Sequence, residues 1–218
     1  MVEVCATTAA AVAGIADGST VLIGGFGMAG MPVQLIEALI EQGATDLTVV
    51  SNNAGNGDTG LAALLAAKRV RKVICSFPRQ SDSWVFDSLY RAGEIELEVV
   101  PQGNLAERIR AAGAGIGAFF CPTGVGTQLA AGKETREIGG RTYVLEYPLR
   151  GDFALIGAYR ADRMGNLVYR KTARNFGPVM ATAATTTIVQ VKEVVETGAL
   201  DPEAVVTPSI SVDKVVAV

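Results

Sequence analysis

The stretch Asp17-Gly18-Ser19-Thr20-Val21-Leu22-Ile23-Gly24-Gly25-Phe26-Gly27-Met28-Ala29-Gly30-Met31-Pro32 decides how the rest of the chain is read. Thr20 to Ile23 is a short β-branched, apolar run of the kind that forms a buried strand. Glycines at 24, 25, 27 and 30 then make a loop, and Pro32 opens a segment with Val33, Leu35, Ile36, Leu39 and Ile40 at helical spacing, closing at Gly43. Strand, glycine loop and helix start together put backbone N–H groups where an anionic or strongly polar ligand can reach them. The alternative is a tight strand-to-helix turn with no ligand. Gly25, Gly27 and Gly30 also spell G-x-G-x-x-G. A dinucleotide site, and with it a nicotinamide-dependent oxidoreductase, would further need an acidic residue at the end of the second strand. Asp46 lies at that distance but precedes the strand.

On the amino-terminal side, Thr7 to Ala16 reads as a short helix capped by Thr7 or Thr8. On the other side, Leu47 to Ser51 is the second strand, so the first β-α-β unit predicts parallel pairing. Open parallel sheets bind ligands beyond the carboxyl ends of their strands. That makes the polar loop Ser51 to Gly60 a candidate, with Asn52 and Asn53 as donors to a substrate or as ordinary turn residues. Val73 to Phe77 is a third strand. Asp82 is placed to cap a helix with Trp84, Val85, Leu89 and Tyr90 on one side and Gly93 as its stop, Trp84 being core or interface. Glu94, Glu96 and Glu98 alternate with apolar residues, as on a solvated edge strand. Gln102 follows that strand's end, where its amide can donate to an oxyanion without titrating, or stabilise a turn.

The carboxy-terminal half changes character. A hairpin across Gly139-Gly140, a strand at Ala154 to Ala161 and a turn at Met164 to Asn166 predict antiparallel structure over about Glu134 to Arg170. Arg170, Lys171 and Arg174 form the densest basic cluster, read as a solvated loop or as a phosphate contact. Thr187 to Val195 is a β-branched strand, and Val205 to Pro208 and Val212 to Val218 are closing strands or interface segments.

With 218 residues, 49% apolar and 19% charged, the chain suits one α/β domain over 1–218. A mean hydropathy of +0.32 points to deep burial that includes a subunit interface. A net charge of −3 argues against nucleic acid as partner, and no apolar run reaches membrane-spanning length. The chain has no histidine, which excludes a Ser-His-Asp or Cys-His site and a histidine-based metal site within it. Cys5, Cys75 and Cys121 are far apart and form no C-x-x-C, as for reduced, buried thiols. No signal-peptide pattern is evident, so the expected compartment is the cytoplasm.

The signature from Asp17 to Pro32 resembles that of family I coenzyme A transferases, in their A-type chain. Leu47 to Gly55, Pro101 to Arg110, Gly165 to Arg170 with Ala173 to Phe176, and Asp201-Pro202-Glu203 are similar as well, so the resemblance covers nearly the whole chain. Within the family, Cys75 to Ser83 with Tyr90 to Glu98 is similar to the branch acting on 3-oxoadipate, with the acetoacetate branch as alternative. The resemblance implies an α/β fold, an open mostly parallel sheet flanked by helices as in ribose-phosphate isomerases, with the antiparallel hairpin region added. It implies a CoA-binding segment at Gly24, Gly25, Phe26, Gly27, Met28, Ala29 and Gly30, substrate contact at Asn52 and Asn53, and an oxyanion role for Gln102. It implies transfer of CoA from succinyl-CoA to a 3-oxo acid through a glutamyl-CoA thioester, with no metal or redox cofactor. The resemblance implies that this glutamate belongs to a B subunit and not to this chain. Two A and two B chains are expected together. A non-catalytic sugar-phosphate-binding module on the same scaffold is the competing reading.

Overall fold

The computed structural model describes residues 2–218. In chain order, β1 (Glu3–Cys5) and α1 (Thr8–Val12) lead into β2 (Thr20–Ile23), α2 (Val33–Gln42), β3 (Leu47–Val50), α3 (Leu61–Ala66), β4 (Val70–Cys75), α4 (Trp84–Arg91) and β5 (Glu96–Val99). There follow α5 (Gln102–Gly113), β6 (Phe119–Cys121), β7 (Thr135–Ile138), β8 (Arg141–Glu146), β9 (Gly151–Gly157), β10 (Arg160–Asp162) and β11 (Leu167–Val168). The chain ends with α6 (Gly177–Ala181), β12 (Ala184–Val191), β13 (Glu193–Val195) and β14 (Lys214–Ala217).

Eight strands form one parallel sheet in the order β1-β14-β12-β9-β2-β3-β4-β5. From β2 the chain steps outward through β3 and β4 to β5. It then crosses to the other side of β2 for β9, β12 and β14. The winding direction therefore reverses between β2 and β9, and the crevice at such a switch point is where open α/β sheets place ligands. The glycine loop leaves β2 at that crevice, and Ala158-Tyr159 leaves β9 beside it.

Central strands are apolar at successive positions because both their faces are covered. Val21, Ile23, Val49, Val73 and Cys75 pack into one core with Leu35, Ile36 and Leu39 of α2 and Leu61, Leu64 and Leu65 of α3. Leu22, Val50 and Ile74 point the other way, into a second core with Leu105 and Ile109 of α5 and Met180 of α6. The structure is thus three layers. The long helix after the signature loop ends at Gly43, whose φ of +98° only glycine tolerates cheaply.

Several expectations are corrected. The antiparallel region does not extend to Arg170 as one block, because β9 pairs parallel with both β2 and β12 at the centre of the main sheet. Its Ala154 to Ile156 run is apolar and buried, and so short a run cannot be distinguished from a hairpin strand by local pattern. Among the strands of the described residues, antiparallel ladders form only in the β6-β8-β7 sheet, with its hairpin at Gly139-Gly140, and between β10 and β11; single antiparallel bridges join Phe26 to Ala29 and Leu167 to Thr207. The edge strand β1 was not anticipated, because three residues carry too little pattern. Asp82 does not cap α4; Ser83 holds the N-cap position without a side-chain cap. Trp84 is not in the core of this chain, where Val85 and Phe86 supply the buried face instead; it stands exposed, as an interface residue would. Asp46 sits at the start of β3, the end opposite the glycine loop, and pairs with Arg71, so the dinucleotide reading has no support. Glu94, Glu96 and Glu98 lie along the edge at β5 as expected, each paired to a Lys or Arg. Burial pushes the Glu98 carboxyl up, but hydrogen bonds from Lys72 and Arg108 outweigh it and hold the group below the usual carboxylate range.

Candidate active site

The carboxyl ends of the parallel strands carry three cavities, each sharing wall residues with the next. The first, about 320 Å³, is lined by Phe26, Gln102, Gly103, Asn175 and Phe176 among others. The second, about 670 Å³, shares Phe26 and Asn175 with the first and adds Ala29, Lys171, Thr172 and Arg174. The third, about 550 Å³, shares Ala29, Lys171 and Thr172 with the second and reaches Gly30, Tyr159, Arg170 and Lys192. No aspartate, glutamate or cysteine lines any of them.

Gln102 is the first residue of α5, set by Pro101 directly after the last edge strand. Its Nε2 donates to Asn52 Oδ1 at 2.7 Å, and Ser76 Oγ donates to the same oxygen at 2.9 Å. One N–H of the Gln102 amide is thereby fixed, and the second is left for a ligand in the first cavity. Asn52 is 2% exposed, so it acts here as the anchor of Gln102. Asn53, 1% exposed, turns inward and accepts from Gly55 N–H at 2.8 Å. Its Nδ2 has no hydrogen-bond partner within the described residues, and neither has Ser51 Oγ. Buried groups of this kind cost stability unless something satisfies them.

The first turn of α5 is held from behind. Asn104 Nδ2 donates to Glu146 Oε1 at 3.2 Å, and Lys133 Nζ donates to the same oxygen at 2.8 Å. This ties β8 and the loop before β7 to the helix that carries Gln102. Glu146 is the only buried glutamate among the described residues, and its partners occupy it.

The glycine loop divides into two parts. Gly24 and Gly25 are buried in the packing, and Gly24 N–H bonds to Leu155 O at 2.9 Å. From Phe26 to Gly30 the loop is open, with Phe26 and Met28 each 52% exposed and Phe26, Ala29 and Gly30 lining the cavities. The turn Lys171–Arg174 lies against it: Asn175 Nδ2 donates to Ala29 O at 2.8 Å. A Cβ on Gly30 would stand 2.3 Å from Ala173 O, so only glycine allows this approach.

The structure therefore brings Phe26, Ala29, Gly30 and Gln102 to one row of adjacent cavities, a trough with shared walls, and sets Asn52 directly behind Gln102. It leaves Asn53, Gly24 and Gly25 beneath the surface, while Gly27 and Met28 do not line the cavities. Sequence reasoning gave no role to Ser76, Tyr159, Asn175 or Lys192. The Arg174-Asn175-Phe176 run carried the only signal for any of them, but nothing local said that it meets the glycine loop.

The trough offers amide and backbone donors at one end and cations at the other, and no carboxylate or thiol side chain lines it. Burial pushes the Cys75 thiol up to about 12 and the Cys5 thiol in the same direction, so neither is a thiolate near neutrality. Among the described residues no cluster of three metal-ligating side chains occurs, and no helix is long and apolar enough to cross a membrane.

Comparison with known proteins agrees with this geometry. The family profile described as Coenzyme A transferase matches residues 5–218. The chain is 72% identical over 210 residues to the A chain of 3-oxoadipate CoA-transferase from Pseudomonas putida, covering 96% of this chain and 91% of that one. It is 54% identical over 208 residues to the A chain of succinyl-CoA:3-ketoacid coenzyme A transferase from Xanthomonas campestris pv. campestris strain B100, covering 95% and 85%. A solved acyl-CoA transferase from Escherichia coli O157:H7 superposes with a TM-score of 0.87 at 23% identity. That match takes in 100% of this chain but only 47% of the longer one, and shows the shared fold.

Proposed function

The chain belongs to the coenzyme A transferase family, and from that premise we infer that it is the A-type half of an enzyme moving CoA from succinyl-CoA to 3-oxoadipate. The observation that carries the reading is a trough suited to hold and polarise a thioester, with no aspartate, glutamate or cysteine of this chain in its lining to attack it. Relatives that are themselves named as one of two kinds of subunit fit a chain that works with a B-type partner. The higher identity to the 3-oxoadipate relative, 72% against 54%, favours that acceptor over acetoacetate.

In this reading a glutamate of the B subunit enters the first cavity and attacks the succinyl-CoA carbonyl. The C–S bond breaks, giving a succinyl-glutamyl anhydride and CoA thiolate. The thiolate attacks the glutamyl carbonyl, releasing succinate and leaving a glutamyl-CoA thioester. A carboxylate of 3-oxoadipate attacks that thioester, and the freed thiolate then takes the 3-oxoadipyl carbonyl and restores the glutamate. Two easier exchanges replace one hard one. Each addition places negative charge on a carbonyl oxygen, and the free N–H of Gln102 is positioned to receive it. No step calls for a metal or redox cofactor. The free thiols suit a reducing cytoplasm. A pairing of two A with two B chains is part of the same proposal.

The test is a spectrophotometric assay of 3-oxoadipyl-CoA formation from succinyl-CoA. The chain purified alone is expected to be inactive, and the chain co-expressed with its B-type partner to be active. Full turnover by the isolated chain would refute the division of labour. Preference of the assembly for acetoacetate would refute the acceptor assignment.

A further inference from the structure

We propose that the third cavity, at the switch point between β2 and β9, receives the phosphate groups of CoA, so that the trough binds the whole donor lengthwise. The assignment rests on the CoA-transfer reading above and deepens it. Gln102 marks where the thioester must lie. The trough runs from there past Phe26 and Ala29 to Arg170, Lys171 and Lys192. CoA has the same layout: a neutral pantetheine arm ending in the thioester, and three phosphates at the other end.

Four observations support it. First, Arg170, Lys171 and Lys192 line the third cavity and Arg174 the adjoining second one, in a protein whose net charge is −3. Second, among the described residues none of the four pairs with a carboxylate, although most cations elsewhere on the surface do. Unpaired, converging cations with no aspartate or glutamate in the cavity lining are the pattern of an anion site. Third, Lys171 has a φ of +53°, a left-handed conformation that costs a lysine on the order of 1 kcal/mol or more. The turn keeps that conformation where it aims the residue at both cavities. Fourth, the Arg170 guanidinium carbon lies 5.8 Å from the centre of the Tyr159 ring, which stacks the side chain over the rim of the third cavity.

The phosphates of CoA and those of a free sugar phosphate present the same chemistry to these cations, so the experiment separates them. The co-expressed A/B assembly is assayed with succinyl-CoA and with succinyl-pantetheine, which has the same thioester and no phosphate. Lys171→Gly removes the ammonium and suits the backbone better than lysine does; Lys192→Gln and Arg170→Gln neutralise exposed side chains. Each is expected to raise KM for succinyl-CoA about tenfold, as for loss of one charge-assisted contact. The kcat/KM for succinyl-pantetheine is expected to stay within about twofold. Adenosine 3′,5′-bisphosphate should compete with succinyl-CoA, and ribose 5-phosphate at the same concentration should not.

Variants that transfer CoA with unaltered KM overturn the assignment and leave the transferase reading intact. The assignment also fails if both donors weaken together, or if ribose 5-phosphate is the better competitor. An unsubstituted assembly that transfers no CoA overturns the transferase reading, and the assignment falls with it.

Discussion

Replacing Gln102 with alanine lowers kcat of the A/B assembly about a hundredfold and moves KM for succinyl-CoA by less than about threefold. The Gln102 amide is pinned by Asn52 on one side and is free on the other. A donor held in place before the reaction gives little to the neutral ground-state carbonyl and much to the oxyanion, so its loss falls on kcat. Gln102 is exposed at the start of α5, so the substitution leaves the core untouched. Circular dichroism should show an unchanged fold. Asn52→Ala should reproduce a milder form of the defect, because it releases the amide without removing it. Steady-state kinetics decide the matter: a rise in KM with kcat preserved would make Gln102 a binding group and remove the oxyanion role.

Gly30→Ala is expected to damage both the fold and the site. Two independent costs coincide there. The residue has φ of +75°, and its new Cβ would fall 2.3 Å from the Ala173 carbonyl oxygen, a backbone atom that no rotamer change can move. The strain alone costs about 1–3 kcal/mol. To relieve the overlap, the loop and the Lys171–Arg174 turn must separate, which breaks the bond from Asn175 to Ala29 and opens the trough between its second and third cavities. The expected result is a lowered melting temperature together with a loss of kcat/KM for succinyl-CoA of about a hundredfold or more. Gly27→Ala is the informative comparison for stability. Gly27 also has a positive φ, +58°, but its Cβ would meet nothing within 4 Å. It should cost only about 1 kcal/mol. Equal losses of stability in the two variants would show that backbone conformation, not the approach of the basic turn, sets the demand for glycine.

Much of this architecture could be read from local pattern. Thr20 to Ile23, Val33 to Gln42 and Leu47 to Val50 declare a parallel β-α-β unit, because doubly covered strands are apolar throughout and the helix between them is bounded by Pro32 and Gly43. The position of Gln102 after an edge strand was equally legible. What local pattern cannot carry is the crossing of the chain from β5 to β9. The partners of β9 are β2, some 130 residues earlier, and β12, and no property of Gly151 to Gly157 names them. The trough depends on that crossing. Arg170 and Lys171 look like any basic loop until β9 and β12 carry them beside Gly30. Asn52 and Asn53 illustrate the same limit at smaller scale. Both are polar, adjacent and past a strand end, yet one anchors Gln102 and the other turns into the interior, and a shift of one residue along the chain decides which.

The central claim, that this chain shapes the cavity while its partner supplies the attacking carboxylate, is tested most directly by weighing the two chains. The A/B assembly is incubated with succinyl-CoA in the absence of acceptor, quenched in acid, and each chain is measured by mass spectrometry. A CoA adduct on the partner, with this chain at its unmodified mass, is the predicted result. A CoA adduct on any residue of this chain would contradict it.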